Sequence, residues 1–156
     1  MGEPEDRRFL GLDHRLPISK LRGVPTSVRV KLKQQRITTC AQLLAAAAAA
    51  PQRAALAAAT GIDTAVLLQL VRRADLARIR GIGTVFGLML EELGVVEIEQ
   101  LAEQGAGELH ATLRDYNVRE RLARRSPTLE EVEEWVAAAR LLPILITHNR
   151  VTTAAG

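Results

Sequence analysis

The chain is poor in several residue types that define other classes of protein. Its 156 residues include one cysteine, Cys40, so no internal disulfide can form and a reducing, cytoplasmic location is expected. Aromatic residues make up 3% of the chain, which favours closely packed aliphatic helices over a β-sandwich. No apolar run approaches the length of a membrane span, and residues 1–8 lack the apolar segment of a secretory signal. The sequence therefore predicts a soluble, all-α protein without a membrane partner.

Motifs for catalysis and metal binding are also missing. His14, His110 and His148 are far apart in sequence, and Cys40 has no second ligand at metal-binding spacing. No nucleophile elbow, Walker loop or pair of catalytic carboxylates stands out. We therefore expect no enzymatic activity, no metal and no cofactor.

The formal net charge of +3 is small for a nucleic-acid-binding protein. Whether the chain can bind nucleic acid therefore depends on how its charges are distributed.

The most informative stretch that is present runs from Ile79 to Leu93. Gly81 and Gly83 flank one apolar residue, Ile82, which predicts a tight hairpin held in a core by its middle side chain. Apolar residues at helical spacing follow, and Gly94 is placed to end that helix. The stretch therefore predicts a glycine hairpin followed directly by a helix.

A second copy of this pattern lies 58 residues earlier, starting at Leu21. Gly23 falls on Gly81 and Val24 on Ile82, but Pro25 stands in place of Gly83. Further apolar positions repeat at the same offset: Val28 and Phe86, Leu32 and Leu90, Ile37 and Val95, Leu43 and Leu101. A repeat this regular indicates one supersecondary unit used twice.

Local signals place several other helices. Thr39 with Gln42, and Thr128 with Glu131, have the spacing of capping boxes. The alanine run from Ala45 to Ala50 is predicted to be helical, and Pro51 to start the next helix. Trp135 shares an apolar helix face with its neighbours, which predicts a core position. Ile144–Thr147 forms a short apolar tail.

The hairpins resemble the helix-hairpin-helix motif, in which an apolar residue, Gly-apolar-Gly and a helix follow one another. Over about residues 16–142 the chain resembles a bacterial family catalogued as domain of unknown function 4332, on the order of its Thr60-Gly61-Ile62 turn, the Leu67–Leu76 run, the Gly81 hairpin, Glu91–Val95 and the closing Glu130–Val136 helix. The resemblance implies two tandem helix-hairpin-helix units packed as one compact helical domain. It also implies a phosphate held by N–H groups of the hairpin and of the following helix.

This interpretation divides the chain into four segments. Residues 1–16 are predicted to be a flexible arm, 17–76 the first unit, 77–143 the second unit and 144–156 a tail.

The two units differ in charge and in hairpin chemistry. The first hairpin lies in a stretch of cations without an acid: Lys20, Arg22, Arg29, Lys31, Lys33 and Arg36. Its weakness is Pro25, which has no N–H to offer a phosphate, although Thr26 and Ser27 can donate.

The second hairpin keeps its backbone donors, with Arg78 and Arg80 just before it. Acidic residues follow it, however: Glu91, Glu92, Glu97, Glu99, Glu103 and Glu108. A simple packing role is therefore an alternative to phosphate binding at this hairpin. A third basic cluster, from Arg114 to Arg125, either extends a binding face or pairs with the acids of the next helix, Glu130 to Glu134.

Two functions remain open from the sequence. The first is nucleic-acid binding without sequence specificity, with candidate contacts at Arg22, Gly23, Thr26, Lys31, Lys33, Arg80, Gly81, Gly83 and Thr84. The second is a protein-interaction or scaffold module, which could be a homo-oligomer. In that case the alanine-rich helix and the Ile144–Thr147 tail would contact a partner or a second copy.

Overall fold

The computed structural model describes residues 16–148, and this part of the chain is helical. It contains eight α-helices and no β-strand, which confirms the all-α prediction. The only β-type pairing found within these residues is an isolated bridge between Pro17 and Thr39. The helices are α1 (Thr26–Gln34), α2 (Cys40–Ala47), α3 (Ala50–Thr60), α4 (Thr64–Leu76), α5 (Thr84–Glu92), α6 (Ile98–Ala102), α7 (Ala106–Glu120) and α8 (Leu129–Leu141).

The chain divides into two compact units, with the boundary in α4 between Ala74 and Asp75. We call residues 16–74 with 144–148 the N-proximal unit, and residues 75–143 the C-proximal unit. Each has its own cluster of buried apolar side chains. Apart from Leu16, the predicted N-terminal arm lies outside the described residues, as do residues 149–156 of the predicted tail.

The alanine run is not one continuous helix, which corrects the prediction for Ala45–Ala50. Helix α2 ends at Ala47, and α3 begins at Ala50 with a proline in its first turn. Buried Arg53 donates hydrogen bonds to the carbonyl oxygens of Ala47 and Ala48 at 3.0 and 2.9 Å. The guanidinium thus satisfies carbonyl groups that a helix end leaves without partners, and it stabilises the break.

The segment after α8 packs inside the N-proximal unit. Ile146 is buried in the core of that unit. The Thr147 N–H donates to the Ala48 carbonyl oxygen at 3.0 Å, and Arg53 donates to the Thr147 carbonyl oxygen at 2.8 Å. Ile146 and Thr147, part of the predicted docking tail, are therefore occupied within their own chain.

The C-proximal unit is built around α8. This helix packs on α6 and α7, and α7 also contacts α5. Trp135, 1% exposed, lies at the centre, and its ring is 5.5 Å from the ring of Phe86. The predicted core position of Trp135 is confirmed.

Helix caps and helix bounds follow the local sequence closely. The capping boxes of Thr39 with Gln42 and of Thr128 with Glu131 are both present, and a third at Glu97 with Gln100 was not predicted. Helices α1 and α5 begin and end at the 58-residue offset of the repeat, and α2 and α6 begin at it. The repeat in the sequence therefore corresponds to a repeat in local structure.

Candidate nucleic-acid interface

The first hairpin is held in place by an arginine from α4. Gly23 has a φ of +71°, in the left-handed region where glycine is favoured. Arg73 Nη1 donates to the Arg22 carbonyl oxygen at 2.7 Å, and a Cβ added at Gly23 would lie 2.8 Å from the same nitrogen. Pro25 is extended and precedes α1. The contribution of Arg73 was missed from the sequence because 51 residues separate it from Arg22.

The start of α1 presents donors next to this hairpin. The first hydrogen bond within the helix runs from the Arg29 N–H to the Pro25 carbonyl oxygen at 3.0 Å. The N–H groups of Thr26, Ser27 and Val28 precede it and point away from the helix body, as at any helix start. Such a helix end favours a negatively charged group.

The basic residues around α1 are all exposed: Lys20, Arg22, Arg29, Lys31, Lys33 and Arg36. They do not all share one side of the helix. Lys31 Nζ lies beside Gly61, 3.9 Å from where a Cβ at that residue would be. Lys33 is two positions further along α1 and therefore points to a different side, where it lies in line with Arg29. The two candidate lysines thus extend the surface in different directions.

The two glycines of the second hairpin lie in different surroundings. Ile82 is buried, and Gly81 has a φ of +95°. A Cβ added at Gly81 would lie 3.1 Å from Trp135 Nε1, whereas nothing lies within 4 Å of one added at Gly83. The Gly81 side of the hairpin is therefore closed by the core tryptophan, and Gly83 faces open space before α5 begins at Thr84.

Arg78, which the sequence placed beside the second hairpin as a supporting charge, is buried. Its Nη1 atom donates to Asp75 Oδ1 at 2.7 Å and to the Pro143 carbonyl oxygen at 3.2 Å. Burial raises the pKa of the Asp75 carboxyl, the Arg78 guanidinium opposes this shift, and nearby Glu97 adds to it. Arg78 is therefore part of the buried interior of its unit, and Arg80 is the exposed cation at this hairpin. The sequence did not predict that Asp75 and Glu97 are buried near Arg78, because nothing in their local sequence indicates burial.

The two units carry opposite net charge. The described part of the N-proximal unit has nine basic residues and one acid, Asp63; the cations are Lys20, Arg22, Arg29, Lys31, Lys33, Arg36, Arg53, Arg72 and Arg73. The C-proximal unit has eight arginines and thirteen acidic residues. With histidine neutral, the formal charges are +8 and −5. The small net charge of the whole chain therefore conceals a strong separation of charge.

One arginine of the third basic cluster is committed to a local ion pair. Arg125 donates to both carboxylate oxygens of Glu131 at 2.8 Å, and its guanidinium lies 5.6 Å from the centre of the Phe86 ring. The pKa of Glu131 is lowered to about 2, first by Arg125 and then by the Thr128 N–H. Arg125 therefore pairs with an acid of the next helix, which is one of the two alternatives for the third basic cluster.

Other chemistry is limited in the part of the chain that the structure describes. Across residues 16–148, no three His, Cys, Asp or Glu side chains come together as a group able to hold a metal ion. Cys40 is buried, which raises the pKa of its thiol to about 12. None of the described helices combines the length and the apolar character that crossing a lipid bilayer requires.

The fold defines an all-α protein. A family model, described as a domain of unknown function (DUF4332), matches residues 22–142, and the chain belongs to that family. Searches of curated proteins and of solved structures find no match.

Proposed function

We propose that the protein binds nucleic acid without sequence specificity, through its N-proximal unit. The observation that carries this proposal is the separation of charge, with nine cations and one acid in the described part of that unit. Lysine and arginine supply the sequence-independent part of nucleic-acid affinity by displacing counterions from phosphates. The opposite charge of the C-proximal unit would keep a phosphate backbone away from that part of the chain.

The first hairpin would place a phosphate at the start of α1. The N–H groups of Thr26, Ser27 and Val28 would donate to it, although Pro25 cannot. Arg22, Lys31 and Lys33 would add charge from the flanking surface. The conformation of Gly23 and the hydrogen bond from Arg73 to the Arg22 carbonyl oxygen support a hairpin with one fixed conformation. Such a hairpin would hold the N–H donors in place for the phosphate.

The second hairpin would contribute less. Gly83 and the start of α5 at Thr84 keep an open approach, with Arg80 exposed nearby. However, Gly81 lies against Trp135, and α5 ends in Glu91 and Glu92. We therefore assign this hairpin mainly to packing within its unit.

A titration of labelled DNA with the purified protein at 50 and 200 mM salt tests this function. If three phosphates are contacted, the affinity should fall by about 40-fold between these two concentrations. The double variant Lys31→Glu/Lys33→Glu should lose most of the binding. Gly83→Asp, which adds an acid in open space at the second hairpin, should lose little. No binding by the unmodified protein at low salt would rule out the proposal.

A second candidate function is a protein-interaction or scaffold module, with a homo-oligomer included. Three large apolar side chains of the C-proximal unit favour it, because Val118 is 68% exposed, Leu129 43% and Leu122 39%. An apolar contact of this kind should change little between the two salt concentrations. Sedimentation of the protein alone at both concentrations would detect self-association. For either function we place the protein in the cytoplasm, with no cofactor.

A further inference from the structure

We infer that Arg29 and Lys33 on α1, with Arg36 in the turn that follows the helix, form a basic stripe that binds the phosphate backbone of a double-stranded nucleic acid. This inference rests on the proposed function and names its partner and its contact surface. Arg29 and Arg36 were not among the candidate contacts selected from the sequence. The stripe runs from the middle of α1 into the turn after Gln34, beyond the hairpin.

The conformation of Arg36 is the first observation. Its φ is +64°, a value that is unfavourable for a residue with a Cβ. At the same position of the repeat, 58 residues later, stands Gly94 with a φ of +87°. The backbone bond that closes the turn is the same in both units, since the Ile37 N–H donates to the Leu32 carbonyl oxygen and the Val95 N–H to that of Leu90, each at 2.9 Å. Glycine suits this turn better, so the turn itself gives no reason for an arginine.

The second observation is the position of the three cations. Arg29 and Lys33 are four residues apart and lie on the same side of α1. Arg36 lies two residues beyond Gln34, the last residue of the helix, and adds a third cation at its C-terminal end. The buried side of the helix is formed by Leu32, with Val28 packed against the same core. All three cations are exposed, and within residues 16–148 none of their side chains makes a hydrogen bond or an ion pair.

The length of the stripe fits a regular phosphate backbone. Arg29 and Lys33 are about 6 Å apart along the helix axis, at 1.5 Å per residue, and Arg36 follows beyond the end of the helix. One strand of a duplex carries a phosphate about every 3.4 Å along its axis, so the helical part alone faces about two phosphates. Two cations at fixed helical spacing, with Arg36 after them in the chain, therefore match successive charges of one strand.

The composition of the unit favours a duplex over a single strand. Proteins that hold single strands combine basic grooves with aromatic side chains on which bases stack. The described part of the N-proximal unit contains no Phe, Tyr or Trp. Its exposed cations can therefore contact phosphates, whereas unpaired bases would find no stacking platform.

The test compares two arginines that share an unusual conformation. Arg121 ends α7 with a φ of +52° in the acidic C-proximal unit, so Arg121→Gly matches Arg36→Gly in charge and in relief of strain. Fluorescence anisotropy would be measured with a labelled 20-base-pair DNA duplex and with one of its strands, over a range of salt concentrations. Thermal unfolding of each variant would be followed in parallel.

Arg36→Gly should weaken duplex binding about 3- to 10-fold at low salt and reduce the salt slope by about one. Its melting temperature should stay the same or rise by up to about 4 °C, because glycine adopts the left-handed backbone conformation of residue 36 more easily than arginine does. Arg121→Gly should show the same thermal behaviour with unchanged duplex binding. The unmodified protein should bind the duplex more tightly than the single strand.

Equal duplex affinities of Arg36→Gly and the unmodified protein would overturn the inference. So would tighter binding of the single strand, although either result leaves nucleic-acid binding itself in place. Failure of the unmodified protein to bind either DNA would instead remove the proposed function, and this inference with it.

Discussion

At the scale of single residues, the two glycines of the second hairpin have different physical roles. Gly81 needs its left-handed φ of +95°, and its missing Cβ leaves room for Trp135 Nε1. Gly83 is extended and faces open space, where other residues fit. The sequence pattern alone treats the two as equivalent because both flank Ile82. Only the packing of a helix that starts almost 50 residues later distinguishes them.

Substituting each glycine with serine should separate these roles. Gly81→Ser should lower the free energy of unfolding by about 1–3 kcal/mol, because it combines an unfavourable φ with a contact against the indole. Gly83→Ser should change it by less than about 0.5 kcal/mol or stabilise the protein, since serine is a good N-cap. Urea unfolding of both variants measures the difference. Equal losses would contradict the distinction.

At the scale of helices, local sequence predicts where elements begin more reliably than what their ends contact. The starts of α2 and α8 could be predicted because Thr39 with Gln42, and Thr128 with Glu131, have capping-box spacing. The break between α2 and α3 could not, because Arg53 stabilises it together with Thr147, which lies 94 residues further along the chain. Residues so distant leave no periodic signal in the sequence.

The start of α8 provides a pH-dependent prediction. The Glu131 carboxylate accepts hydrogen bonds from Arg125 and from the Thr128 N–H, and its pKa falls from 4.5 to about 2. Because this pKa is lower in the folded protein, the stabilisation is complete above about pH 5 and is lost as the pH falls towards 2. Glu131→Gln should therefore cost about 1 kcal/mol at pH 7, a value reduced by partial exposure, and less at pH 3.

Glu130→Gln is the matched control, because Glu130 lies in the same first turn and is exposed. Its effect should be only a few tenths of a kcal/mol, as expected for a charge near a helix start. Chemical unfolding at pH 7 and pH 3 would compare the two variants. A cost of Glu131→Gln that stays the same at both pH values would mean that the ion pair does not stabilise the cap.

At the scale of the whole molecule, the separation of charge is the property that the sequence revealed least directly. The cations around the first hairpin are contiguous and could be recognised. The extent of the basic unit could not, because Arg53, Arg72 and Arg73 are separated from them in sequence and join them only through the fold. Arg78 precedes the second hairpin in sequence together with Arg80, but it is buried whereas Arg80 is exposed. Charge patterns along a chain therefore predict a binding surface only after burial is known.

The most direct test of the nucleic-acid proposal is an NMR titration of the isotopically labelled protein with a short DNA duplex. We predict that the largest amide shifts occur at the first hairpin, from Arg22 to Val28, and along α1 to Arg36, and that they are reversed by added salt. Shifts concentrated from Arg80 to Thr84, with the first hairpin unchanged, would contradict the assignment to the N-proximal unit. A spectrum unchanged by the duplex at low salt would contradict nucleic-acid binding altogether.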